Sequence, residues 1–257
     1  MPSLGDAIYC RPFVRALSKK RDIWVETKWP DLYGDIRFCT DAPNGPIVIP
    51  RYDSKSLIFK NIIGCIEGHF PPEAADGFAF DLPEFTKRRG RYAVIRAPTL
   101  RRDFYAPARN PDHTHIRRAA EILGAMGIVT VGVGRVSATE WFDGYPPDVD
   151  CAYWRGELSV PDLMGLVSGA ALIVAGPGWT VPASVAYDVP HVIIYGGAAK
   201  WNALDKLTDP RMGNVRIATV EPDKFCRSCK TVSHKCDKTI TDFDRKFIDA
   251  VDRAMCL

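Results

Sequence analysis

Short β-branched runs recur along this chain with helical stretches between them, and that alternation restricts the fold more than any other feature. Asp22 to Thr27, Ile47 to Pro50, Tyr92 to Arg96, Val129 to Val133, Ala171 to Ala175 and His191 to Tyr195 each read as a buried strand bounded by Gly, Pro or charge. Between them, Asp6 to Lys20, His113 to Met126, Val160 to Ser168 and Val181 to Tyr187 carry helical spacing or helix-start signals. Strand, helix, strand repetition demands crossover connections, which are right-handed and leave the strands parallel. The expected fold class is α/β, with two Rossmann-like doubly wound domains.

The stretch from Phe70 to Gly90 breaks the alternation. It holds Pro71, Pro72 and Pro83 and ends in the charge run Lys87, Arg88, Arg89, Arg91, so it reads as a linker ahead of a fresh strand. Residues 1–88 and 89–240 would then be the two domains. Residues 241–257 would close the chain as an amphipathic helix, Asp242 to Met255, with Phe243, Phe247, Ile248 and Val251 on one face.

The 257 residues, 46% hydrophobic and 25% charged, have globular proportions, which argues against disorder, collagen-like repeats and coiled coil. The longest apolar runs, Ala170 to Ala175 and Val192 to Tyr195, fall far short of the roughly 20 residues that cross a bilayer, so no transmembrane segment is expected. Asp6 and Arg11 interrupt any secretory signal core, and the expected location is cytoplasmic. The net charge of +3 does not itself indicate a nucleic-acid partner. It conceals a basic stretch, Arg88 to Arg118, that includes Arg96, Arg101, Arg102 and Arg109 and offers planar forks suited to phosphate and carboxylate.

Among the eight cysteines, Cys10, Cys39, Cys65, Cys151 and Cys256 are scattered and read as reduced core thiols. Cys226, Cys229, His234 and Cys236 crowd together instead. Three thiolates and an imidazole are a ligand set for tetrahedral structural zinc, with reduced or partly disulfide-bonded cysteines as the other reading.

Two further segments carry chemistry. Ser3-Leu4-Gly5-Asp6 opens a helix, so Asp6 is either a capping carboxylate or a functional one beside exposed N–H groups. Gly176-Pro177-Gly178-Trp179-Thr180 joins a strand to a helix, and there glycines and helix N–H groups can hold phosphate or merely make a tight turn. Gly132-Val133-Gly134 matches the start of a dinucleotide fingerprint, but Ser137 stands at the third glycine; it reads as a strand-ending turn, with Ser137 to Asp143 a weak helix start.

Together these residues resemble the lipopolysaccharide heptosyltransferases, inverting transferases of the glycosyltransferase B fold that use ADP-heptose and related donors. The opening SLGDAIYCRPFVRALSKKRDIWVET is similar to that family's beginning, and LSVPDLMGLVSGAALIVAGPGWTVPASVAYDVPHVIIYGG to its second-domain signature without a gap. The segment CRSCKTVSHKCDKTI resembles the cysteine-bearing loop that often follows. The resemblance implies Asp6 as general base, with Ser3, Gly5 and Arg11 on the acceptor side. It implies Arg101, Arg102, Gly176, Gly178, Trp179 and Thr180 on the donor diphosphate. The family's Asp and His in this loop are replaced by Pro177 and Pro182, and only Met1 and Pro2 precede Ser3 where the family has a strand; either the true start lies upstream or the chain is a reduced member with a short first domain, of the compact kind encoded by phages or polysaccharide clusters.

The expected activity is metal-independent, inverting sugar transfer from a nucleotide-diphosphate donor to the hydroxyl of a glycan, a lipopolysaccharide-like acceptor or a modified nucleic acid. No cofactor is expected to be required for catalysis. The alternatives are a non-catalytic sugar-nucleotide or glycan-binding protein of the same fold, favoured by Pro177 and Pro182, and a transferase acting on hydroxylated DNA bases.

Overall fold

The computed structural model describes residues 3–36, 46–51, 60–197, 202–224, 226 and 233–256. Its centre is a parallel sheet of six strands: β3 (Tyr92–Arg96), β5 (Val129–Val133), β7 (Cys151–Tyr153), β8 (Leu172–Ala175), β9 (His191–Ile194) and β10 (Ile217–Val220). Their order across the sheet is β10-β9-β8-β3-β5-β7, and every pairing is parallel. From β3 the chain steps outward to β7, returns to β8 on the other side of β3, and steps outward to β10. This is the doubly wound order, and it reverses between β3 and β8. Loops leaving the carboxyl ends of those two strands therefore diverge and leave a crevice, where ligands of such sheets bind.

Alternation along each strand sends residues to two cores. Tyr92 and Val94 of β3 join Ile173 and Ile193 against α1 (Leu4–Ser18), α4 (Val160–Ser168) and α5 (Thr180–Ala186). A short turn of helix, α6 (Leu204–Leu207), lies between β9 and β10. Ala93 and Ile95 join Leu172 and Val192 against α3 (His113–Ala125) and α7 (Phe243–Cys256). In α7 the core face is Phe243, Phe247, Ala250, Val251 and Ala254. Ile248, expected among them, is 39% exposed because it sits on the flank of that stripe.

In the first half, regular structure is sparse among the described residues. Its described residues hold α1, α2 (Ile62–Glu67) and one parallel pair, β1 (Trp24–Val25) with β2 (Ile47–Val48). α1 packs on α5, so its apolar residues lie in the same core cluster as β3 and β8. Residues 81–89 have no regular structure, as the prolines imply, and Arg88 N–H donates to the Gly165 carbonyl of α4.

Several elements depart from expectation. Ser137 to Asp143 is not a helix start: β6 (Glu140–Phe142) pairs antiparallel with β4 (Thr99–Arg101) in a small sheet beside the carboxyl edge. β4 and β7 hold three residues each, too few to show a period, and β10, four residues like β8 and β9, is a further mostly buried strand. Gly132 makes room for the Trp154 ring, which leaves no space for a Cβ, so this glycine serves packing and not a dinucleotide turn. Cys10 and Cys65 are buried thiols as expected, but Cys256 is exposed in the last turn of α7; Cys39 lies outside the described residues.

Candidate functional site

Three segments meet at the reversal between β3 and β8. The first is Arg96, the last residue of β3 and partly buried. Burial strips water from its guanidinium and pushes its pKa down to about 10; Glu140 opposes that shift, while Arg109 and Arg101 add to it. It stays cationic at neutral pH, with Nη2 3.5 Å from Thr99 Oγ1, which donates to Glu140 at 2.7 Å. A partly dehydrated cation among two others gains most from an anion.

The second segment is the loop after β8. Gly178 faces the same guanidinium, since a Cβ there would stand 3.5 Å from Arg96 Nη1. Gly176 packs on Pro111, whose Cδ would lie 2.6 Å from a Cβ. α5 begins without a side-chain cap. In its first turn the Val181 N–H donates to the Gly178 carbonyl at 3.1 Å and Pro182 has no N–H, so the loop residues Gly178 and Trp179 offer the backbone donors. Thr180, placed on the donor diphosphate by the resemblance, is fully buried, backbone included, and is not presented to the crevice. Pro182 removes one N–H at N3, where no intrahelical bond is lost, and Pro177 is buried; neither supplies an acid or a base.

The third segment is the start of α1, where a Cβ on Gly5 would lie 3.2 Å from Trp179 Cα. Ser3 and Asp6 form a capping box: the Ser3 N–H and Oγ both donate to Asp6 Oδ2 at 2.8 Å, and the Asp6 N–H donates to Ser3 Oγ. Asp6 Oδ1 accepts no hydrogen bond among the described residues. The capping reading therefore holds for one carboxylate oxygen and leaves the other available.

The remaining expected residues lie elsewhere. Arg11, placed on the acceptor side by the resemblance, is 1% exposed. It is bidentate to Asp35 at 2.8 and 2.6 Å and donates to the Leu32 and Asp81 carbonyls, so it ties α1 to the segment beneath it and cannot face an acceptor. Arg101 is partly exposed and forked onto Asp103, with its guanidinium 6.0 Å from the Phe104 ring. Arg102 is exposed. Both lie on the rim and Arg96 lies inside. Sequence reasoning counted Arg96 among the basic residues without singling it out, although its place at the end of the first strand of the second half was the signal.

A second constellation lies along the same edge. Cys226, His234 and Cys236 place their ligand atoms within 4.8 Å of one another, with His234 Nδ1 3.1 Å from Cys236 Sγ. Ligands on one tetrahedral zinc stand about 3.5 Å apart, given bonds of about 2.0 to 2.3 Å, so these three fit a soft or borderline metal ion. Cys229 lies outside the described residues. Cys236 packs on Gly197 just beyond β9, where no Cβ would fit. A cavity of about 740 Å³ separates this segment from Tyr105 and the start of α3.

No protein-family model and no curated protein matches the chain. Solved structures do. The iron-containing dodecameric heptosyltransferase TibC of enterotoxigenic E. coli, in complex with ADP-D-beta-D-heptose, aligns with a TM-score of 0.58 at 16% identity over 100% of this chain and 73% of its own. E. coli heptosyltransferase WaaC with ADP aligns with a TM-score of 0.55 at 13% identity over 100% of this chain and 98% of its own. A family 9 glycosyltransferase from Veillonella parvula gives a TM-score of 0.57 at 11% identity over 99% and 95%. The fold is the one these heptosyltransferase-type glycosyltransferases share.

Proposed function

We propose, from a fold shared with these glycosyltransferases, that the chain transfers a sugar from a nucleoside-diphosphate donor to an acceptor hydroxyl with inversion. One observation carries the reading: a partly buried guanidinium, a glycine loop that opens a helix and the free oxygen of a helix-capping aspartate converge where the strand order reverses. Residues 1–88 would serve the acceptor and residues 89–240 the donor. ADP and ADP-heptose, held by WaaC and TibC, are the first donors to try.

In the proposed step the acceptor oxygen attacks the anomeric carbon from the face opposite the diphosphate. The new C–O bond forms as the sugar–diphosphate C–O bond breaks, and that electron pair leaves on the nucleoside diphosphate. Asp6 Oδ1 takes the acceptor proton, as general-base catalysis requires of a group within reach of it. Arg96 and the backbone N–H groups of Gly178 and Trp179 stabilise the charge growing on the leaving diphosphate, and charge stabilisation of this kind commonly lowers the barrier more than any other effect. This chemistry draws on side chains and backbone alone. The metal-binding constellation is assigned a structural role, zinc being the first candidate and iron, named for TibC, the second; metal analysis of the purified protein distinguishes them.

Asp6→Asn tests the step. Transfer should fall by about 100-fold or more with nucleotide affinity unchanged; unchanged turnover would refute the base assignment. Nucleoside diphosphate binding without turnover of any ADP-, UDP-, GDP- or TDP-sugar would replace the enzyme by a sugar-nucleotide-binding protein, the reading Pro177 and Pro182 favour.

A further inference from the structure

The cysteine segment is tied to the crevice by a short run of polar contacts. Lys238, two residues beyond Cys236, stands 3.9 Å from Asp143 Oδ2, and both side chains are mostly buried. That same oxygen accepts from Asn110 Nδ2 at 3.0 Å, and Asn110 Nδ2 also donates to the Thr99 carbonyl at 2.8 Å. Thr99 in turn faces Arg96 and holds Glu140. The backbone repeats the connection, because Gly196 lies against the Asn110 and Ala108 carbonyls while its neighbour Gly197 lies against Cys236.

We infer that metal occupancy at Cys226, His234 and Cys236 sets the affinity of the crevice for nucleoside diphosphate, with Lys238, Asp143 and Asn110 as positioning residues. The inference rests on the donor reading above. An ion fixes Cys236 on Gly197 and so fixes Lys238 against Asp143. Asp143 then holds Asn110, and Asn110 holds the β4 strand whose Thr99 orients the Arg96 guanidinium. Without the ion, the 233–240 segment is joined to this edge by weaker contacts, and Arg96 samples more orientations. Coupling of this kind is reciprocal, so nucleotide must tighten metal binding by the same factor that metal tightens nucleotide binding.

The test is calorimetric titration of ADP into the full chain, as chelator-stripped and as zinc-loaded protein, together with zinc titration at zero and saturating ADP. Zinc should tighten ADP by about tenfold and ADP should tighten zinc equally. Lys238→Met should bind zinc but lose both effects, and Lys238→Arg should keep them. Amide exchange at residues 99–101 and 140–143 should slow on zinc binding in wild type and not in Lys238→Met. Equal ADP affinity in the two metal states would overturn the linkage and leave the donor site standing. Absence of ADP binding in both states would overturn the donor reading and the linkage with it. Global unfolding of the stripped protein would likewise overturn it, since the ion would then support the whole fold and not this path.

Discussion

Asp6 spends one carboxylate oxygen on the Ser3 cap and keeps the other, which is why the helix start could be read as structural or functional and is in fact compatible with both. Asp6→Asn keeps an acceptor for the cap, so thermal stability should move by less than about 1 kcal/mol while transfer is lost. Arg96 is the reverse case, a residue with little structural employment. Arg96→Met should weaken ADP by about 10- to 100-fold, the size of one or two charge-assisted hydrogen bonds, whereas Arg101→Ala should have a smaller effect because Asp103 already engages that fork. Arg11 is wholly structural, and Arg11→Met should cost about 3 kcal/mol or more by leaving two carbonyls unpaired and Asp35 without its partner, read by denaturant unfolding. His191 supplies a pH signature. Burial pushes its pKa down to about 3, and Ser184 Oγ lies 3.2 Å from Nδ1. The unfolded chain takes up that proton near pH 6.5 and the native one does not, so its contribution is complete above about pH 6.5. As pH falls from there toward 3, stability drops by up to about 1.4 kcal/mol per pH unit. Thermal melts of wild type and His191→Gln should differ by a constant amount above pH 6.5, and wild type should lose stability relative to the variant as pH falls from 6.5 toward 3; a constant difference over that range would contradict the buried neutral imidazole.

At the scale of elements, the glycine loop after β8 works through space and not through side chains. Gly178→Ala meets only ordinary contact at Arg96, so it should fold normally and lose about tenfold in ADP affinity by blocking close approach of phosphate. Gly176→Ala overlaps Pro111 and should destabilise the protein by about 1 to 3 kcal/mol before any ligand is added. The strands and helices with full apolar patterns were legible: β3 and β5 have the expected bounds, and α4 starts at Val160 because Ser159 caps it, accepting from the Asp162 N–H. The antiparallel pair of β4 and β6 was not legible. Thr99-Leu100-Arg101 and Glu140-Trp141-Phe142 are too short to show a period, and what makes them strands is each other, at a sequence distance no local pattern registers. For the same reason the site was read from its loops but not from Arg96, whose importance comes from strand order. The cysteine cluster was legible in spacing, and three of its four ligands do converge.

For the whole molecule, the strand order places one reversal in the sheet, and that crevice is where the loop after β8, the end of β3 and the start of α1 meet. In the first half, α1 packs directly on α5 and so brings Asp6 to this edge. Among the described residues no helix is long and apolar enough to cross a membrane. The central claim is that this edge holds a nucleoside diphosphate through Arg96. Titration of ADP into wild-type, Arg96→Met and Arg101→Ala protein at fixed salt tests it most directly. Saturable binding to wild type that weakens by about tenfold or more in Arg96→Met, and by less in Arg101→Ala, is the predicted result; equal affinity in wild type and Arg96→Met, or no binding of ADP, UDP, GDP or TDP by wild type, would contradict it.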